Sequence, residues 1–261
     1  MAGQDSPYRT DGFAQMVQMV PFETAGVRGF LHRPDGAASG GLVLTHGAGG
    51  NCNAPLLVAV AAAFCVAGLT VLRIDLPFRQ RRPKGPPSPA GATADRAGLR
   101  QAVAALRALV SGPISLGGQS YGGRQATMLA ADDPQLVDSL LLFSYPLHPP
   151  GKPERLRTEH FPRLRIPALF VQGTADPFGS IAELRQAVSL IPAPVQVMQI
   201  EGAGHDLRRG RFDLGAVVAA ALAQMVEQPT HEELRARLES RPSLTPSVAP
   251  AEAVRAERDR Q

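Results

Sequence analysis

The pentapeptide Gly118-Gln119-Ser120-Tyr121-Gly122 constrains this chain more than any other feature. A short apolar run, Pro113-Ile114-Ser115-Leu116-Gly117-Gly118, ends at it, and a helical pattern, Tyr121 to Ala131, starts there. The run suits a buried parallel strand. A serine on so sharp a strand-to-helix turn is held in strained backbone, and a side chain at either flanking glycine would collide with neighbouring main chain. The turn lifts the hydroxyl above the sheet and aims a helix N-terminus at it. The N–H of Tyr121 is then free to meet developing negative charge. The plainer alternative is a glycine-rich turn with a capping serine.

A serine hydroxyl is a weak nucleophile that needs a base, and the base needs an acid to orient it. Downstream, Ile166 to Gly173 reads as a strand leading into Thr174-Ala175-Asp176-Pro177. Asp176 therefore falls just past a strand's C-terminal end, where open α/β sheets gather their sites. A second strand, Val195 to Ile200, leads into Glu201-Gly202-Ala203-Gly204-His205. Asp176 has a competing reading as a turn or helix-capping residue before Pro177. Among the other histidines, His32 precedes the first long strand, His148 and His160 precede Asp176, and His231 lies in the charged C-terminal segment. The order Ser, Asp, His selects Ser120, Asp176 and His205.

A second main-chain donor is expected from the loop after an early strand. Gly41 to Thr45 is such a strand, followed by His46-Gly47-Ala48-Gly49-Gly50-Asn51. The N–H groups of Ala48 and Tyr121 are the expected oxyanion donors, with Gly49 as substitute for Ala48. His46 reads as structural. A dinucleotide loop is disfavoured because Cys52 stands at its third glycine position.

Strands alternate with helices along the chain: two strands between Phe13 and Leu31, strand 41–45, helix 54–67, strand 69–75, helix 94–110, the elbow strand and helix, strand 137–145, the Asp176 strand, helix 180–190, the His205 strand and helix 214–226. This predicts a mostly parallel, doubly wound sheet flanked by helices. Residues 1–19 read as an N-terminal extension, 20–227 as one domain and 228–261 as a charged, proline-containing tail. Pro77 to Thr93 and Pro146 to Pro162 read as irregular, too short for a large cap domain. Each follows a strand, so each should reach the rim that carries the site. Arg79, His148, Lys152 and Arg155 from these loops are candidate contacts for a substrate carboxylate or phosphate, against the plainer reading of a solvated charge cluster.

The net charge is +4, and the only lysines are Lys84 and Lys152. That modest balance does not call for nucleic acid. The two cysteines do not suggest a disulfide framework. Cys65 reads as core, and Cys52 as a passive loop residue or a sensitive thiol. No metal-ligand spacing stands out, and neither metal nor cofactor is expected. Met1 to Gln15 lacks a signal pattern, and no apolar run is long enough to span a bilayer. A cytoplasmic protein without a membrane association is expected.

The chain resembles the α/β-hydrolase superfamily, and within it a dienelactone-hydrolase-related group of small bacterial proteins. Eukaryotic relatives of that group include a testis-expressed hydrolase-like protein and a subunit of a histone acetyltransferase complex. His46-Gly47-Ala48-Gly49 and Gly117-Gly118-Gln119-Ser120-Tyr121-Gly122-Gly123-Arg124 carry the likeness, with Tyr145 to Thr158, Phe170-Val171-Gln172-Gly173 and Asp176-Pro177-Phe178-Gly179. It covers about Val20 to Val226. The resemblance implies the α/β-hydrolase fold, with nucleophile Ser120, acid Asp176 and base His205. Relatives often carry Lys and Met where this chain has Gln119 and Tyr121. Dienelactone hydrolases proper use Cys where this chain has Ser120, so their substrate is not inherited. The expected activity is hydrolysis of an ester or thioester of a small, anionic or neutral substrate through an acyl-enzyme. Transfer of the acyl group to another acceptor would use the same residues. A binding or scaffolding protein that keeps the fold without turnover is the alternative.

Overall fold

The fold is described from a computed structural model covering residues 18–209 and 212–226. The expected C-terminal tail, its His231 and most of the expected N-terminal extension lie outside the described residues. The elements are β1 (Gln18–Thr24), β2 (Val27–Arg33), β3 (Gly40–Thr45), α1 (Pro55–Val66), β4 (Leu69–Ile74), α2 (Pro77–Arg81), α3 (Ala92–Arg107), β5 (Ile114–Gln119), α4 (Tyr121–Asp132), β6 (Ser139–Phe143), β7 (Ala168–Gly173), α5 (Ile181–Val188), β8 (Val195–Ile200) and α6 (Leu214–Val226). β1 begins two residues before the expected domain start at 20. Pro77 to Thr93 is less irregular than its composition suggests, because Pro77 opens the short helix α2.

One eight-stranded sheet runs in the order β1-β2-β4-β3-β5-β6-β7-β8. β1 and β2 pair antiparallel, as do β2 and β4, and all other neighbours are parallel. The central strands are buried on both faces, which is why they read as continuous apolar runs and not as alternating ones. Successive side chains still point to opposite faces. Leu140, Leu142 and Phe170 enter the core under α3, α4 and α5. Leu141, Phe143, Leu169 and Val171 enter the core under α1 and α6. The described residues show helices on both faces, connected by loops without a large cap.

The parallel pairing sends β3, β5, β6, β7 and β8 out of the sheet at the same edge. The loops carrying Ala48, Ser120, His148, Asp176 and His205 are therefore neighbours in space although far apart in sequence.

Two buried histidines outside the Ser120–His205–Asp176 group tie stability to pH. His32 accepts a hydrogen bond from Arg73 Nε at 2.8 Å, and His160 Nε2 lies 2.8 Å from Thr127 Oγ1. Burial, then the Arg73 charge, lowers His32 to about 4, and burial, then Arg124, lowers His160 to about 4. The unfolded chain takes up protons near the ordinary value of about 6.5, which the folded chain refuses. Stability is thus full above that value and is lost as pH falls toward 4. A loss of about 1–2 kcal/mol per histidine is expected between pH 7 and pH 5. Urea midpoints at the two pH values, for wild type and His160→Gln, test this. An unchanged pH slope in the variant would remove His160 from the account.

Candidate active site

Ser120 stands between β5 and α4 with φ 50° and ψ −115°, a conformation costing about 1–3 kcal/mol for a residue with a Cβ. Its N–H donates to Phe143 O at 2.9 Å, and its carbonyl accepts from Arg124 N at 2.9 Å, so both sides of the turn are tied. Two glycines permit the arrangement through close approach. A Cβ on Gly122 would lie 2.6 Å from His46 O and from Thr45 Cγ2. A Cβ on Gly47 would lie 3.3 Å from Ser120 Cβ, so the loop after β3 presses directly against the serine.

The three side chains selected from the sequence meet at this edge. His205 Nε2 lies 2.8 Å from Ser120 Oγ. His205 Nδ1 lies 2.8 Å from Asp176 Oδ2 and 3.0 Å from Oδ1. The Asp176 side chain is fully buried, whereas that of His205 is 24% exposed. With Nδ1–H donating to Asp176, Nε2 is left to accept from the Ser120 hydroxyl.

Further residues, to which the sequence reading assigned no role, hold these groups. Gln172 Nε2 donates to Asp176 Oδ2 at 3.0 Å, while Gln172 Oε1 accepts from Tyr145 N at 2.8 Å. Phe178 N donates to Asp176 Oδ1 at 2.9 Å. The Phe178 ring stacks on His205 with centroids 4.1 Å apart. Gln172 and Phe178 sit inside motifs that carry the family resemblance, but a lone Gln or Phe in a strand or loop has no spacing that reveals its partner.

Loop 46–50 is equally braced. Gly47 O accepts from His46 Nδ1–H at 2.8 Å and from Gly50 N at 3.1 Å. This carbonyl belongs to the peptide that carries the Ala48 N–H. In a trans peptide the N–H lies on the opposite edge of the plane, so fixing the carbonyl also aims the donor. His46 Nε2 accepts from Leu76 N at 3.1 Å. Asp75 Oδ1 is 3.8 Å from the same nitrogen, too far for a hydrogen bond, and is engaged by Cys52 N at 2.8 Å. Burial lowers the pKa of His46, in keeping with a neutral ring that donates through Nδ1 and accepts through Nε2.

Tyr121 is the first residue of α4, so its N–H has no acceptor within the helix. Its side chain turns toward Asp95, donating from the phenol to Oδ2 at 2.7 Å, and packs edge-on against Phe78. Burial and the Asp95 carboxylate push the phenol pKa up. Asp95 is fully buried and also accepts from Phe78 N at 3.0 Å. It thereby ties α2 to the residue after the serine, a role hidden in the sequence by its ordinary place in the first turn of α3.

The four expected substrate contacts are placed differently from one another. Arg79 is buried, and it donates from Nε to Gly50 O at 2.7 Å and from Nη2 to Ala48 O at 2.8 Å and Gly85 O at 3.2 Å. Its guanidinium braces the loop that carries Ala48. His148 is buried, with Nδ1 2.8 Å from Pro149 O and Nε2 3.6 Å from Glu183 Oε2. Lys152 and Arg155 are exposed on the loop after β6. Among the described residues, no group of three or more His, Cys, Asp or Glu side chains could hold a metal. No described helix is long and apolar enough to cross a membrane.

Cys52 borders the site but is buried, and burial, then Asp75, pushes its thiol up to about 12. Burial likewise pushes buried Cys65 up to about 11. The thiolate is the reactive form. Ellman's reagent at pH 8 should therefore find both thiols silent in the native protein and both reactive in denaturant. Rapid native reaction of a thiol lost in Cys52→Ser would restore the sensitive-thiol reading of Cys52.

Residues 38–231 match the family model of an alpha/beta hydrolase domain. A stretch of 48 residues is 52% identical to part of the polyketide synthase ThaQ of Burkholderia thailandensis, covering 18% of this chain and only 2% of that protein's length. Among solved structures, a dienelactone hydrolase from Anabaena variabilis superposes with a TM-score of 0.62 at 23% identity, covering 81% of this chain and 98% of that one. An α/β serine hydrolase homologue from Coxiella burnetii gives 0.58 at 20% identity, covering 81% and 97%. An α/β serine hydrolase without a lid from Xanthomonas campestris gives 0.60 at 16% identity, covering 82% and 95%. At these identities the structural likeness is one of fold.

Proposed function

Because this chain belongs to the alpha/beta hydrolase domain family over residues 38–231, we propose that it is a serine hydrolase cleaving an ester or thioester through an acyl-enzyme. The observation that carries the reading is the relay itself: Ser120 Oγ to His205 Nε2 at 2.8 Å, and His205 Nδ1 to Asp176 Oδ2 at 2.8 Å.

His205 Nε2 takes the Ser120 proton as Oγ attacks the substrate carbonyl carbon. The carbonyl π electrons move to oxygen, and the N–H groups of Ala48 and Tyr121 receive the oxyanion. Loss of one such donor typically costs about 100- to 1000-fold in rate. The tetrahedral intermediate collapses, and His205 passes its proton to the departing alcohol or thiol. Water, deprotonated by His205, then attacks the acyl-enzyme and releases the acid and Ser120. Asp176 stabilises the imidazolium in both steps. His46 and Arg79 keep the Ala48 loop in place.

Intact-mass measurement after treatment with a fluorophosphonate tests the reading. One adduct per chain is expected on wild type and none on Ser120→Ala. Folded wild type that takes no label would overturn the hydrolase reading in favour of a binding or scaffolding role.

A further inference from the structure

We infer that Arg124 and Arg157 form an anion-binding site beside Ser120, and that the preferred substrate carries a carboxylate on its acyl part. This rests on the hydrolase reading above and adds the substrate class to it.

Arg124 lies one helical turn after the serine, its N–H donating to Ser120 O at 2.9 Å. Side chains on a helix lean toward its N-terminus, which for Arg124 is the end that carries Ser120. Tyr121, Arg124 and Met128 form a half-buried stripe on α4. The rise of one turn is about 5 Å, a distance that a short run of methylenes can span.

Arg157 lies on the loop after β6, near enough for its guanidinium to feel the Arg124 charge. Its N–H donates to Leu147 O at 2.9 Å, its carbonyl accepts from Tyr145 Oη at 3.1 Å, and Nη1 donates to Pro146 O at 3.3 Å. The loop is pinned to α4 three residues further on, where His160 Nε2 lies 2.8 Å from Thr127 Oγ1. That hydroxyl donates in turn to Arg124 O at 2.8 Å. Helix and loop thus hold the two arginines in fixed relation.

The charges there are unbalanced. Nearby cations are engaged elsewhere: Arg163 pairs with the Asp132 carboxylate at 3.1 Å, and Arg96 donates to the neutral amide oxygen Gln125 Oε1 at 3.1 Å. Among the described residues, neither Arg124 nor Arg157 is within ion-pair distance of a carboxylate. Among the described residues, the buried Arg124 Nε has no hydrogen-bond partner. Burial, then the Arg124 charge, lowers the pKa of Arg157, and the nearby Glu159 is exposed. Two partly buried guanidinium groups that repel one another are relieved by an anion shared between them, and their planar forks match a carboxylate. Lys152 and Arg155, the exposed cations of the same loop, add attraction at longer range.

The test compares 4-nitrophenyl hydrogen glutarate with its neutral methyl ester, alongside fluorophosphonate labelling of the same preparations. Wild type is expected to favour the hemiester by about 10- to 100-fold in kcat/KM, the span of a charge-assisted hydrogen bond. The preference should fall at least about fivefold in Arg124→Gln and in Arg157→Gln, survive in part in Arg124→Lys, and weaken with added salt. Should Arg124→Gln fail to fold, Arg157→Gln on the half-exposed loop carries the test. Labelled Ser120 without a hemiester preference, or with a preference kept in both Gln variants, overturns the anion site and leaves the hydrolase reading standing. No labelling and no cleavage of either ester overturns both.

Discussion

Replacing Ser120 with alanine is expected to lower turnover by about four to six orders of magnitude. The change removes only Oγ, which lies 2.8 Å from His205 Nε2. Alanine at φ 50° bears the same backbone strain as serine, and the main-chain bonds to Phe143 and Arg124 do not involve the side chain. The denaturation midpoint should therefore hardly move. The Ala48 and Tyr121 N–H groups, the proposed oxyanion donors, are also untouched, so substrate binding should be kept and the loss should fall on kcat. Parallel measurement of kcat, KM and the urea midpoint separates this from unfolding. A variant within tenfold of wild type would show that Ser120 is not the nucleophile.

Asp176→Asn is expected to cost about 10⁴-fold in kcat. The carboxylate is held between fixed donors, with Phe178 N at 2.9 Å from Oδ1 and Gln172 Nε2 at 3.0 Å from Oδ2. An asparagine must turn its NH₂ toward one of them, setting donor against donor in a fully buried place. The remaining oxygen no longer carries the charge that stabilises the His205 imidazolium. Such a conflict costs about 1–3 kcal/mol of stability, so the folded protein should survive at room temperature with a lower midpoint. A kcat within tenfold of wild type in a folded variant would remove Asp176 from the acid role.

The contrast between these residues and their supports shows what kind of information the chain carries locally. Ser120 was legible because its turn needs small neighbours within two positions, flanked by a strand and a helix. Asp176 and His205 were legible because each follows a strand end in the order that this fold requires. The strands themselves were legible because the central ones, buried on both faces, must be apolar throughout. Gln172, Phe178 and Asp95 gave no such signal. Their meaning lies in single hydrogen bonds or ring contacts to residues up to 27 positions away. Arg79 shows the same limit from the other side. As a basic residue on a rim loop it read as a substrate contact, yet its donors meet the carbonyls of Ala48, Gly50 and Gly85.

By itself, the sequence determined the alternation of strands and helices, the sheet's mostly parallel character and the three side chains that converge. All of these follow from periodicity and from the steric demands of one turn. The tertiary structure alone decided which cations spend their donors on bracing a loop, as Arg79 does, and which, like Arg124, keep a buried N–H without a partner among the described residues. That outcome depends on where backbone carbonyls from other strands lie, and carbonyls are the same at every position of a sequence.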